Sequence, residues 1–221
     1  MDALMNAVEV RVVGSLVEKQ MATPEYYPLT LNALVNACNQ LTGREPVVAY
    51  DERTVARALE SLREKQLVWQ VTAAGARVPK YEHRLSEKFH LAEQETAVLA
   101  ILMLRGPQTV GEIKGRAGRM YEFAELAEVE MTLESLTTAE PPLVVKLPRQ
   151  PGTKESRYAH LLAGEVHVEE LPAAAPRADP AVLEVRAENE RLAQLESEVA
   201  ALRQQLADLQ QQFIDFTRQF E

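Results

Sequence analysis

The sequence predicts a mainly α-helical chain with small β-hairpins, an α+β class made of two copies of one unit and a long C-terminal helix. Three observations predict it. The letters LESL occur at 59–62 and again at 133–136, each preceded in register by a valine, Val55 or Val129. Each copy then runs through a leucine-valine pair, Leu67-Val68 or Leu143-Val144, to a Tyr-x-His ending, Tyr81/His83 or Tyr158/His160. Ordered matches over such a length mark an internal repeat. Last, the apolar residues near the C-terminus recur at alternating steps of three and four, the seam of a coiled coil.

In the first copy the apolar run VEVRVVGSLVEK predicts a helix over roughly 6–20. A second helix is expected over roughly 30–40, opened by Thr30 after Pro28. A third spans roughly 52–66 with Asp51 as its N-cap. On it Val55, Ala58, Leu59, Leu62 and Gln66 share one side. Strand LVWQVT, the turn AAGAR and strand RVPKYEHRL follow. The second copy gives helices near 93–104, 109–118 and 124–138, with Thr109 standing where Thr30 stands. It ends with LVVKLP, the turn RQPGTK and ESRYAHLL. On its third helix Leu126, Val129, Leu133 and Leu136 are expected to face the core. Three helices followed by a β-hairpin is the pattern of a winged helix, a helix-turn-helix variant, so two tandem winged-helix domains are expected over 1–88 and 89–168.

A Pro/Ala-rich linker, 169–180, separates them from a coiled-coil helix over 181–221. Leu192, Leu195, Val199, Leu202, Leu206, Leu209, Phe213 and Phe216 form its a/d seam, and Phe220 continues it. In a parallel pair Arg191 would face Glu196 of the second copy, and Glu198 would face Arg203. Such exposed pairs contribute only tenths of a kcal/mol each, so they choose orientation more than they hold the coil. A homodimer is the expectation, with a single amphipathic helix folded back on its own domains as the alternative.

The stretches EKQMATPEYYPLTLNALVNACNQLTGREPV, KYEHRL, LRGPQTVGEIKGRAGRMYEF and LPRQPGTKESRYAHLL cover most of residues 9–162. They resemble the YceH-like family of bacterial proteins, whose molecular role is uncharacterised. The resemblance implies two winged-helix domains in tandem, in agreement with the repeat, and transfers no catalytic or binding residue.

Charge limits the partners. Residues 1–165 hold 19 Lys+Arg against 22 Asp+Glu, whereas 166–221 hold 5 against 11, so the tail carries most of the net −9. Phosphate neutralisation needs local basic clusters in such a chain. The third helix of the first copy offers Arg53 and Arg57 in its N-terminal half, with Glu60 and Glu64 beyond. The corresponding helix of the second copy turns out Glu130 and Glu134, with Glu125 and Glu128 nearby, which suits a phosphate wall poorly. Positive charge in that copy lies at Arg105, then at Lys114, Arg116 and Arg119, and on the hairpin at Lys146, Arg149, Lys154 and Arg157. The expected function is non-enzymatic: a regulator that binds double-stranded DNA as a coiled-coil dimer. Its nucleic-acid contacts would be Arg53, Arg57, Lys114, Arg116, Arg119, Arg149, Lys154 and Arg157. The alternative is an adaptor that docks another protein through acidic helix faces, without DNA.

Other chemistry finds little support. No catalytic residues, cofactor or metal are expected. His83 and His160, at equivalent repeat positions, read as structural groups closing each hairpin onto its third helix, and no further ligands stand at metal spacing. Cys38, the sole cysteine, reads as a small buried hydrophobe. GEIKGRAG has neither nucleotide-loop form. Asn32, Asn36 and Asn39 recur on one side of the second helix, and Asn36 and Asn39 are expected to bond the backbone of the loop that follows. No apolar run reaches membrane-span length, and the N-terminus lacks a secretory pattern, so a cytoplasmic location is expected.

Overall fold

The computed structural model describes residues 4–71, 78–149 and 155–164. It is mainly helical with small antiparallel sheets. The first repeat comprises α1 (Ala7–Ala22), a single 3-10 turn (Pro24–Tyr26), β1 (Leu29–Thr30), α2 (Leu31–Cys38), α3 (Glu52–Glu64), β2 (Val68–Val71) and β3 (Lys80–His83). A short α4 (Leu85–Phe89) leads into the second repeat, which holds α5 (Glu93–Arg105), α6 (Val110–Ala117), α7 (Leu126–Thr138), β4 (Val144–Lys146) and β5 (Tyr158–His160). The coiled-coil seam from Leu192 to Phe216, with the linker, lies outside the described residues.

Capping sets several boundaries. Asn6 and Glu9 close a reciprocal box at the start of α1, and Thr109 and Glu112 do the same for α6. Thr30 and Asp51 cap α2 and α3, accepting the N–H of Ala33 at 3.3 Å and of Thr54 at 2.8 Å. Both caps fall where the sequence puts them. Helix α4 was not expected: it is one turn long, too short for apolar periodicity to show, and ends with His90 in the left-handed region at φ 53°.

The repeat is present in the pairing as well as in the letters. Val68 stands opposite His83 in the first hairpin, and Val144 opposite His160 in the second. The two-residue β1, unexpected because it has no alternating pattern, adds a third strand that pairs Leu29 with Tyr81. Its counterpart in the second repeat is a single bridge, Gln108 with Tyr158, closed by reciprocal bonds of 3.0 and 2.8 Å. The first sheet is therefore ordered β1-β3-β2, and the second is β4-β5.

The cores of the two repeats join. Helices α1 and α5 are buried around most of their girth, from Glu9 to Val17 and from Thr96 to Leu104, as apolar runs without a polar face require. They pack on each other with Gly14 at the contact, where a Cβ would lie 3.1 Å from Leu104 Cγ and from Met103 Cβ. Core residues of both repeats, from Met5 to Leu162, form one cluster, and Met5 N–H donates to the Leu162 carbonyl at 2.9 Å. Two expectations of side-chain placement fail. Leu126, at the first turn of α7, is 50% exposed, because that turn projects past the core that Val129, Leu133 and Leu136 reach. Gln66 is exposed and lies beyond α3 at φ 58°, where the chain turns into β2.

Candidate nucleic-acid interface

The site begins with what holds α3. The loop from Asn39 to Tyr50 contains little regular structure, so side chains must satisfy its backbone groups. Asn39 does so twice: its Nδ2 donates to the Tyr50 carbonyl and its Oδ1 accepts the Tyr50 N–H, both at 2.8 Å. Two buried arginines work from below. Arg11 donates to the carbonyls of Cys38 at 3.3 Å and Pro46 at 2.6 Å. Arg44 donates to the carbonyls of Ala37 and Gly43 and to Gln40, and pairs with Glu18 at 2.5 Å. A planar guanidinium with five donors suits several carbonyls at once, which an ammonium could not match. Glu9, also buried, accepts from Lys65 at 2.7 and 2.8 Å, tying α1 to the end of α3. Burial pushes the Glu9 carboxyl up, but the Lys65, Ser61 and Asn6 bonds outweigh it and hold it below the usual carboxylate range.

Helix α3, so positioned, buries Val55, Ala58, Leu59 and Leu62 and turns its opposite face out. Arg53 and Arg57, one turn apart on that face, are exposed and make no hydrogen bond or ion pair among the described residues. Glu60 and Glu64 continue the face, while Arg63 donates to Gln70 at 3.3 Å. The face is thus basic in its first half and acidic in its second.

The second repeat spends its basic residues differently. Lys114 donates to the Ala124 carbonyl at 2.7 Å, and Arg116 to Gln108 Oε1. Arg157 forks onto Glu112 at 2.8 and 3.1 Å and also reaches the Pro107 carbonyl at 2.7 Å. Burial raises the Glu112 carboxyl, and the Thr109 N–H with the Arg157 charge bring it below its ordinary value. Arg119 and Arg149 are exposed; Lys154 lies outside the described residues. On α7 the outer face carries Glu130 and Glu134 between Leu126 and Met131, which is 66% exposed. Of the expected contact residues, Arg53, Arg57, Arg119 and Arg149 are exposed, whereas Lys114, Arg116 and Arg157 bond to acceptors within the protein.

His83 anchors its hairpin, but not to the helix expected. His83 is buried against α1: Gln20 Oε1 meets its Nε2, its Nδ1 accepts the Leu85 N–H, and its backbone N–H donates to the Tyr27 hydroxyl. The partner is α1 rather than α3 because β3, the central strand, sits above the C-terminal end of α1. His160 has its Nδ1 sealed from solvent without a partner among the described residues. Burial depresses both, to about 4. Cys38 is buried and its thiol pushed up by burial. Asn32 and Asn36 are exposed and bond to nothing described, so of the asparagines expected to bond the loop only Asn39 does so. Arg11, Arg44 and Glu9 carry structural roles the sequence reading missed. For Glu9 and Arg11 the signal was available, since a charge inside an apolar helix needs a buried partner; Arg44 stands in a loop and carries no such mark. Among the described residues no three His, Cys, Asp or Glu side chains gather as a metal set, and no helix is long and apolar enough to cross a membrane.

These features define a mainly helical α+β protein made of two fused repeats, with one helix face divided between basic and acidic halves. The family model for a protein of unknown function, DUF480, matches residues 5–153. The UPF0502 protein of Geobacter sulfurreducens is 56% identical over 200 residues, covering 90% of each chain. That of Geobacter metallireducens is 57% identical over 199 residues with the same coverage, and that of Opitutus terrae 51% over 199 residues, 90% of this chain and 83% of the relative. The chain belongs to the UPF0502/DUF480 family, the YceH-like proteins.

Proposed function

We propose that the chain is a tandem winged-helix protein whose first repeat contacts duplex DNA through α3, and that its C-terminal heptads pair two copies in parallel. The observation that carries this reading is the pair Arg53 and Arg57. They are exposed, form no hydrogen bond or ion pair among the described residues and share the N-terminal half of the helix that enters the major groove in helix-turn-helix proteins. The winged-helix reading is supported by the order of three helices and a hairpin in each repeat. The second repeat contributes Arg119 at most as an outlying phosphate contact, since Lys114, Arg116 and Arg157 hold protein acceptors. Such a protein has no catalytic residues and binds no cofactor.

Binding to an arbitrary duplex at low salt, weakening steeply as salt rises, is the expected result. No binding at low salt would sink the DNA reading. Truncation after Pro180 is expected to convert a dimer to a monomer by light scattering, and an unchanged mass would remove the coil from the account. One observation favours a second reading: Leu126 and Met131 stand exposed beside Glu130 and Glu134 on α7, a surface suited to a protein rather than a polyanion. Capture of a protein partner that L126S/M131S abolishes, with no DNA affinity, would favour that adaptor.

A further inference from the structure

Among the described residues no strand pairs with the outer edge of β2. In the sheet order β1-β3-β2, Arg84 N–H donates to the Leu67 carbonyl at 2.8 Å, which makes Leu67 and Arg84 a hydrogen-bonded pair. Alternation then turns the backbone groups of Trp69 and Val71 toward β3, and those of Val68 and Gln70 outward. His83 N–H, turned the other way to the Tyr27 hydroxyl, agrees with this register. Alongside the edge runs an open groove of about 610 Å³ lined by Glu60, Arg63, Glu64, Val68, Trp69 and Gln70.

Its lining is specific in chemistry. Trp69, the chain's sole tryptophan, is 54% exposed on the solvent side of the sheet, and the Arg84 guanidinium covers one of its faces at 4.4 Å. An exposed edge strand bearing a large aromatic is a template for pairing with another chain unless it is used. On the α3 side, Glu60 and Glu64 are exposed and form no ion pair among the described residues, while Arg63 is held by Gln70. The groove thus joins a free backbone edge, an indole surface and two uncommitted carboxylates.

We propose that this groove takes an extended basic segment of another protein, added as a fourth strand beside β2. Period-two alternation gives the added strand its pattern. Residues facing α3 are lysine or arginine and meet Glu60 and Glu64; residues on the outer face are apolar and lie against Trp69. Nucleic acid is repelled by the same carboxylates, and residues 166–221 of this chain, with 11 acidic against 5 basic residues, carry the wrong charge to occupy it. Glu60 and Glu64 belong to the C-terminal half of the α3 face whose N-terminal half carries Arg53 and Arg57; a peptide assay contains no DNA, so its outcome is distinguishable from that of DNA binding.

The test uses the full chain and the fluorescence of Trp69. An alternating valine–lysine peptide is expected to shift the emission saturably, with affinity lowered about tenfold in the E60Q/E64Q variant, as the loss of two ion pairs predicts. E130Q/E134Q, equal in charge change but on α7, should bind as wild type. The same peptide N-methylated at every backbone amide keeps the charge and cannot complete the strand ladder in either strand direction. The proposal is overturned if that N-methylated peptide binds equally well, if E60Q/E64Q binds unchanged, or if the valine–lysine peptide gives no saturable response at millimolar concentration.

Discussion

Asn39 is expected to be a main stability determinant of the first repeat, out of proportion to its size. Asn39→Ala removes two hydrogen bonds of 2.8 Å and leaves the N–H and carbonyl of Tyr50 without their partners. Each bond contributes about 1 kcal/mol net, so the loss is about 2 kcal/mol, Tyr50 being only half-buried and open to partial replacement by water. For a chain of this length that lowers Tm by about 4–8 °C. Asn39→Asp should cost at least as much, because a carboxylate oxygen would then face the Tyr50 carbonyl where Nδ2 donated. Asn36→Ala, one turn earlier on the same helix, touches no described partner and should change stability by less than about 0.5 kcal/mol. Urea denaturation followed by Trp69 fluorescence and by helical circular dichroism measures all three. Equal costs for Asn36 and Asn39, or an Asn39→Ala change under about 0.5 kcal/mol, would refute the reasoning.

Other outcomes follow from the buried charges. Burial holds His83 at about 4 in the folded chain against 6.5 unfolded, so between these values the unfolded state binds more protons. Its contribution, about 3 kcal/mol, is therefore full above pH 6.5 and lost as pH falls to 4; denaturation midpoints across that window should show a shallower slope for His83→Asn. Glu9 and Glu112, held below the usual range, add their losses at still lower pH. Lys65→Met strands the buried Glu9 carboxylate and should cost about 3 kcal/mol in denaturation, with Glu9→Gln added to it recovering part. Arg157→Ala should lower the melting temperature by freeing Glu112, yet leave the salt dependence of DNA binding as it was.

The sequence was legible where the signal is local and strong. Repeat letters located both three-helix units, and the caps at Thr30, Asp51 and Thr109 stand where side-chain chemistry places them. Elements shorter than their own period, β1 and α4, left no pattern to read. The candidate site was legible only in part, because charge on a sequence does not say which acceptor a cation meets. Arg157 and Arg53 look alike as letters; the fold gives one an ion pair with Glu112 and gives the other no ion pair among the described residues. Leu126 fails for a related reason: a leucine at helical spacing faces the core only where the core extends that far.

The most direct test of DNA contact through α3 is the salt dependence of duplex binding in wild type and in R53A/R57A. Each phosphate contact contributes about 0.9 to the slope of log affinity against log salt, so losing both arginines should reduce its magnitude by about 1.8. An unchanged slope, or a wild-type chain that binds no duplex at low salt, would contradict the account.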